Sequence, residues 1–187
     1  MASDYDKTIQ LETHRLLLRI ALPEMVDEIL DFRMRNRDFL QPWLPLQNEF
    51  AFDREFNASF LRNERNDWLE GRSYRFMVSL LEKPDYIIGD IRFSNIVRGA
   101  FQNSYLGYLQ DEAHCGHGYM SEALSKAIWY MFAIEQLHRI EANIMPRNTP
   151  SINLIRKLGF TEVGRSPRYL QINGEWEDHL HFAILNE

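Results

Sequence analysis

A single cysteine, Cys115, stands in a chain of 187 residues, which excludes an internal disulfide and any zinc site built on several cysteines. Positive charge is also short, since 21 Lys and Arg against 27 Asp and Glu leave a net charge of −6. General affinity for nucleic acid needs a basic face, so that class is set aside. No segment approaches ~18 uncharged apolar residues, and no membrane-spanning helix is expected. The first residues, MASDYDK, lack an apolar core for secretion, so a cytoplasmic location is the expectation. Two nucleotide motifs are missing as well. Nothing matches GxxxxGK(S/T), and Ser121 stands where a dinucleotide fingerprint opening at Gly116 would carry its third glycine.

What is present argues for a folded enzyme-sized unit. Hydrophobic residues make up 45% of the chain and aromatics 13%, too much for a disordered segment. The length fits one domain over residues 1–187, large enough to bury roughly 70% of its unfolded surface, with residues 1–12 expected to be loosely ordered. No internal repeat or charge block marks a boundary.

The stretch from 104 to 159 carries the most information. Tyr105 to Leu109 reads as a short strand. Gly116-His117-Gly118 then precedes a helix whose apolar positions Met120, Leu124, Ala127, Ile128 and Met131 recur at helical spacing. Glycines before a helix leave backbone N–H groups uncovered at its positive end, which favours a phosphate or pyrophosphate. Arg139 to Met145 alternates Ile140, Ala142 and Ile144 against polar residues and reads as a strand. After Asn148, Thr149 reads as a helix cap, Pro150 as the first helical position and Gly159 as the stop. The Ser151 hydroxyl therefore sits in a first helical turn. Two parallel strands around a helix form a βαβ unit, and ligands collect at the carboxyl ends of such strands.

Around this core, His14 to Leu22 reads as the first strand, and a helix follows that ends before Pro42. Residues 39 to 52 form an ordered loop holding Trp43. A second helix runs from a cap at Asp53 to a stop at Gly71. Two further strands precede residue 104, and two more follow Gly159, joined at Asn173-Gly174, the strongest short hairpin signal. Pattern alone gives a mixed α/β domain.

GxG opening a helix, followed by a strand, NxxS and KLGF, resembles the acyl-CoA-binding core of the GNAT N-acetyltransferases. Five stretches, FLQPW (39–43), FSNIVRG (93–99), YLGY (105–108), HRIEANIMPRN (138–148) and YLQINGEWEDH (169–179), resemble the RimJ/RimL group of ribosomal-protein N-terminal acetyltransferases, and its RimJ branch most of all. The similarity runs from His14 to the end of the chain. It implies a GNAT fold, a central twisted mixed β-sheet of about seven strands flanked by about four helices. It implies acetyl-CoA as cosubstrate and the N-terminus of a ribosomal protein beginning with Ala or Ser as acceptor, with a monomer or homodimer as the acting form.

The resemblance also assigns residues. Leu109, Gly116, His117, Gly118, Tyr119, Met120, Ser121, Asn148 and Ser151 are expected at the cofactor. The pyrophosphate lies on the glycine loop, the pantetheine arm between the strands at 105–109 and 139–145, and Asn148 against that arm. The family pattern is (Q/R)xxGxG, and Ala113 replaces its first residue here, which removes a side chain but no backbone donor. Trp43, Tyr105 and Asn95 are expected at the acceptor, with simple packing as the other reading of Trp43.

Acyl transfer to an amine needs a neutral amine, oxyanion stabilisation and a proton for the departing thiolate. Ser151 matches the family's proton donor; the other reading is a first-turn serine that only caps. For the base, Tyr105 stands where the RimL branch has a glutamate. Glu141 on the next strand is the nearest alternative, against a solvated strand glutamate or a water relay. Cys115 reads as an inert loop cysteine. The pairs His114/His117 and His179/His181 lack a third ligand at suitable spacing, so no metal is expected. Two other functions stay open: acetylation of a small cationic amine such as a polyamine or antibiotic, and a CoA-binding module without turnover.

Overall fold

The computed structural model describes residues 8–187. Among them, eight strands form one sheet: β1 (Gln10–Glu12), β2 (Leu16–Ile20), β3 (Tyr74–Leu80), β4 (Lys83–Val97), β5 (Asn103–Gln110), β6 (Arg139–Ile144), β7 (Thr161–Ile172) and β8 (Glu175–Leu185). Five α-helices accompany them: α1 (Val26–Arg35), α2 (Arg37–Leu40), α3 (Arg54–Leu69), α4 (Tyr119–Ala133) and α5 (Thr149–Lys157). The spatial order is β1-β2-β3-β4-β5-β6-β8-β7, and every neighbouring pair is antiparallel except β5 with β6. The mixed sheet expected from the sequence is therefore present, with one strand and one helix more.

Both additions escape sequence periodicity. β1 is three residues long, too short to show alternation, and is ordered by pairing Gln10 with Arg19. Residues 10–12 are thus a sheet edge rather than the loose terminus expected of them; residues 1–7 lie outside the described residues. The helix after β2 breaks at Asn36, whose Nδ2 donates to the Phe32 carbonyl at 2.8 Å and to Asp111 at 2.7 Å. α2 is the turn beyond that break.

Side-chain alternation divides the core into two layers. On one face Phe76, Val78, Phe93, Ile140 and Ala142 meet Leu124, Ala127 and Met131 of α4 and Ile155 of α5. On the other, Met77 and Ile87 meet Ile29 and Phe32 of α1 and Leu61 of α3. Each large side chain buried in this way contributes about 1.5–3 kcal/mol. The expected cap at Asp53 is observed, its carboxylate accepting from the Phe56 amide at 2.7 Å. The β7–β8 hairpin turns at Asn173-Gly174, as expected. Among the described residues no helix is long and apolar enough to cross a membrane.

Glu122, in the first turn of α4, ties that helix to the sheet edge. It accepts from Thr13 Oγ1 at 2.6 Å, the Arg15 amide at 3.0 Å and Arg15 Nε at 2.8 Å. Burial pushes its carboxyl up, but the hydrogen bonds from Thr13 and Arg15 outweigh burial and hold it below the usual carboxylate range. A depressed folded pKa stabilises the fold above the unfolded value near 4.3 and loses that contribution as pH falls through the folded value. Glu122→Gln is therefore expected to cost about 1 kcal/mol at pH 7, the low end for a charged hydrogen-bonded group near solvent. Urea melts of both proteins at pH 7 and pH 3 check this: the gap should close at the lower pH.

Candidate active site

β5 and β6 run together only at Asn103–Arg139, Ser104–Ile140 and Tyr105–Glu141, and then part. On its other side β5 stays paired with β4 as far as Gln110. The main-chain groups of residues 106–110 that face β6 are therefore left without a strand partner, an edge onto which an extended ligand can add. The gap opens at the carboxyl ends of two parallel strands, where a βαβ unit gathers its ligands.

One side of the gap is the glycine loop. Gly118 caps α4 at φ +77° and Gly116 has φ +81°, a left-handed region that costs side-chain-bearing residues ~1 kcal/mol or more. A Cβ on Gly116 would meet nothing within 4 Å, so the loop is bare toward the gap. This loop leads into the positive end of α4, 15 residues long, a place that favours an anion.

Four side chains that the sequence reading did not single out, Asp111, Arg35, Asn36 and Arg15, build this loop. Buried Asp111 accepts from Arg35 Nη1 at 2.6 Å and Asn36 Nδ2 at 2.7 Å and contacts the His114 ring, while Asn36 Oδ1 accepts from the Glu112 amide at 2.9 Å. Arg15 donates to the His117 carbonyl at 3.1 Å and lies 4.5 Å from the centre of the Tyr119 ring. Neither contact has a local sequence signal; Arg15 and Glu122 are 107 residues apart.

The other side is the start of α5. The cap is Asn148 rather than Thr149: Asn148 Oδ1 accepts from the Ser151 amide at 3.3 Å, and Thr149 is the first helical residue. An Asn one position earlier reaches the N–H of the third helical residue, which displaces the weaker Thr cap. Ser151 is half-buried, and its carbonyl accepts from the Tyr108 hydroxyl at 3.3 Å. Burial pushes the Tyr108 phenol up to about 12, outweighing the bond to Ser151, so Tyr108 stays neutral and anchors α5 across the gap.

Between these sides lies a cleft of about 420 Å³. Of the residues expected at the cofactor, it brings together Leu109, Gly116, Gly118, Met120, Ser121, Asn148 and Ser151, and it adds Tyr108, Gln110, Cys115, Leu154 and Lys157. Trp43 lines it with Phe39 and Leu40. A larger cavity of about 850 Å³, lined by Arg19, Glu28 and Arg62 among others, shares no residue with this chemistry. His117 and Tyr119 do not line the cleft; their rings stack on each other at 5.6 Å.

Three more expected residues lie outside the cleft lining. Asn95 is exposed with φ +51° at an irregularity in the β4–β5 ladder, at the far end of β5 from Gln110. A strand bulge looks like ordinary strand in sequence, so this irregularity was not legible. Tyr105 and Glu141 face each other where the strands part, but Glu141 Oε1 is held by Arg139 Nε at 2.7 Å. Burial, then the charge of Glu141, pushes the Tyr105 phenol up, so it is no anionic base. Burial, then Asp111 and Glu112, pushes the Cys115 thiol up, in keeping with an inert cysteine.

An acyl carrier with an anionic neck fits this cleft, and the comparisons agree. The family model "Acetyltransferase (GNAT) domain" matches residues 15–161, and the chain belongs to that family. It is an N-acetyltransferase. It is 36% identical over 178 residues to the ribosomal protein uS5-alanine N-acetyltransferase of Escherichia coli (strain K12), covering 94% of this chain and 90% of that one. The structure of a ribosomal-protein-S5-alanine acetyltransferase from Vibrio fischeri superposes with a TM-score of 0.91 at 32% identity, covering 96% and 97% of the two chains. Mycobacterium smegmatis RimJ in complex with CoA-disulfide gives a TM-score of 0.86 at 28% identity, covering 95% and 86%.

Gly118→Asp tests the anion loop. It puts a charged side chain at φ +77°, with Arg15 Nη2 3.7 Å from the new Cβ. Acetyl-CoA affinity should fall at least tenfold, or ~1.4 kcal/mol, by calorimetry on protein with an unchanged circular dichroism spectrum. Unaltered affinity would move the phosphates elsewhere.

Proposed function

We propose that this protein, acting as a single domain in the cytoplasm, transfers the acetyl group of acetyl-CoA to the N-terminal α-amine of a ribosomal protein beginning with Ala or Ser. The observation that carries this reading is the parting of β5 and β6 beside Ser151, with the bare glycine loop in the same cleft. The pyrophosphate would rest on the N–H groups at Gly116–Gly118, and the pantetheine amides would pair with the free edge of residues 106–110. Asn148 spends its Oδ1 on Ser151 and keeps its amide N–H donors for that arm.

The amine attacks the thioester carbonyl, the C–N bond forms, and the C–S bond breaks as the tetrahedral intermediate collapses. The departing sulfur takes a proton from the Ser151 hydroxyl, which regains one from solvent, and the amine gives one up. Glu141 lies outside the cleft lining and keeps Oε2 free of Arg139, so it can take that proton through a water. The names of the relatives support the N-terminal acceptor, and the RimJ complex with a CoA species supports acetyl-CoA as donor.

The test is a peptide beginning with alanine, incubated with acetyl-CoA and enzyme. Thiol release together with an acetyl group located on the α-amine by tandem mass spectrometry is expected. Faster turnover of spermidine would replace this reading with a small-amine acetyltransferase. Tight acetyl-CoA binding without thiol release on any amine would leave a binding module.

A further inference from the structure

Arg147 lies between β6 and α5, one residue ahead of the cap Asn148, and ties together three segments that are far apart in the chain. Its Nε and Nη2 meet Glu177 Oε1 at 3.1 and 2.9 Å, close to the turn of the β7–β8 hairpin. Nη2 also donates to the Pro42 carbonyl at 2.9 Å, and the guanidinium sits 4.9 Å from the centre of the Trp43 ring. The same loop and hairpin meet again beyond Arg147. The Asn173 amide donates to the Leu44 carbonyl at 2.8 Å, and Gln41 Nε2 to Asn173 Oδ1 at 3.1 Å.

We propose that Arg147 is a positioning residue that fixes the acceptor side of the cleft, holding Trp43 and the hairpin in register with the Asn148 cap and so with Ser151. This inference rests on the reading of the Trp43 wall as the acceptor side. The side chains of Arg147 and Glu177 are 45% and 29% exposed, and such ion pairs add little to stability. What the guanidinium supplies is geometry. A planar fork of five donors serves a carboxylate, a carbonyl and an aromatic face at once, and an ammonium does not. Without it, the 41–46 loop and the hairpin keep the bonds of Asn173 to Leu44 and Gln41 and the approach of Leu46 to Gly174. A loosened wall admits the acceptor in more orientations and lowers the fraction aligned with the thioester.

Arg147→Ala, Arg147→Lys and wild type separate this from a general structural role. Arg147→Ala should raise the KM for the alanine-first peptide about tenfold and leave the acetyl-CoA dissociation constant within twofold. Arg147→Lys should stay at least fivefold raised, because charge alone does not restore the fork. Hydrogen exchange, which needs no acceptor, should show the Asn173 amide exchanging at least tenfold faster in Arg147→Ala, with β5 and α5 unchanged. Peptide KM within twofold of wild type, full rescue by lysine, or peptide KM and acetyl-CoA affinity lost together would each overturn the proposal. If wild type does not modify the peptide, the proposed function fails, and the exchange result alone then decides whether Arg147 holds the loop and the hairpin together.

Discussion

Ser151→Ala is expected to lower kcat about 10²-fold while acetyl-CoA binds as tightly as to wild type. The substitution removes the hydroxyl and keeps the backbone amide, which is the atom Asn148 caps. The start of α5, and the Tyr108 bond to the Ser151 carbonyl, therefore survive. What is lost is a proton for the departing thiolate in a cleft bounded by apolar Leu109, Met120 and Leu154. A positioned proton donor contributes typically 10²–10⁴-fold, and the low end applies because a water entering the hydroxyl's place can protonate a thiolate slowly. Steady-state turnover with the alanine-first peptide, alongside calorimetric titration with acetyl-CoA, checks both halves. A normal turnover number would return Ser151 to a purely helical role.

The second large effect concerns the acceptor. A peptide with a blocked N-terminus and a free lysine is expected to react at least a hundredfold more slowly than the same peptide with a free N-terminal alanine. With pKa values of about 7.8 and 10.4, roughly a tenth of an α-amine is neutral at pH 7, against a few parts in ten thousand of a lysine. That gap corresponds to ~3.5 kcal/mol, which a strong base would have to supply. No such base is built here, since Tyr105 is pushed away from ionisation and Glu141 shares its carboxylate with Arg139. The rate with the α-amine should rise with pH through the amine's own pKa. The net charge of −6 further favours an acceptor with arginines after its first residue, an advantage that high salt should remove. Comparable lysine labelling in tandem mass spectra would sink the α-amine assignment.

Legibility followed the range of the interactions. The glycine loop could be read because glycine adopts the backbone at Gly116 and Gly118 without the cost a Cβ brings, and that preference is written in two letters. α5 is bracketed by its Pro and Gly, and β6 by alternation of Ile140, Ala142 and Ile144, which together put Ser151 in a first turn. The same local reading misplaced the cap by one residue, because Asn and Thr are both good caps and only the observed bond to the Ser151 amide chooses between them. It also missed the bulge at Asn95, which has no signature of its own.

By itself, then, the sequence determined the βαβ unit, the glycine turn that opens α4 and the serine in the first turn of α5, all consequences of backbone conformations and periodicities that act within a few residues. Tertiary structure decided the rest. β5 and β6 cease to pair after Tyr105–Glu141 while β5 stays with β4 and β6 with β8, and that opening exposes the edge of residues 106–110. The glycine loop is held by Asp111 with Arg35 and Asn36, and by Arg15 across more than a hundred residues. The Trp43 wall is held by Arg147, 105 residues from Pro42 and 30 from Glu177. Each of these contacts joins segments that only the packed sheet brings within reach, and a guanidinium carries no periodicity to announce its partner.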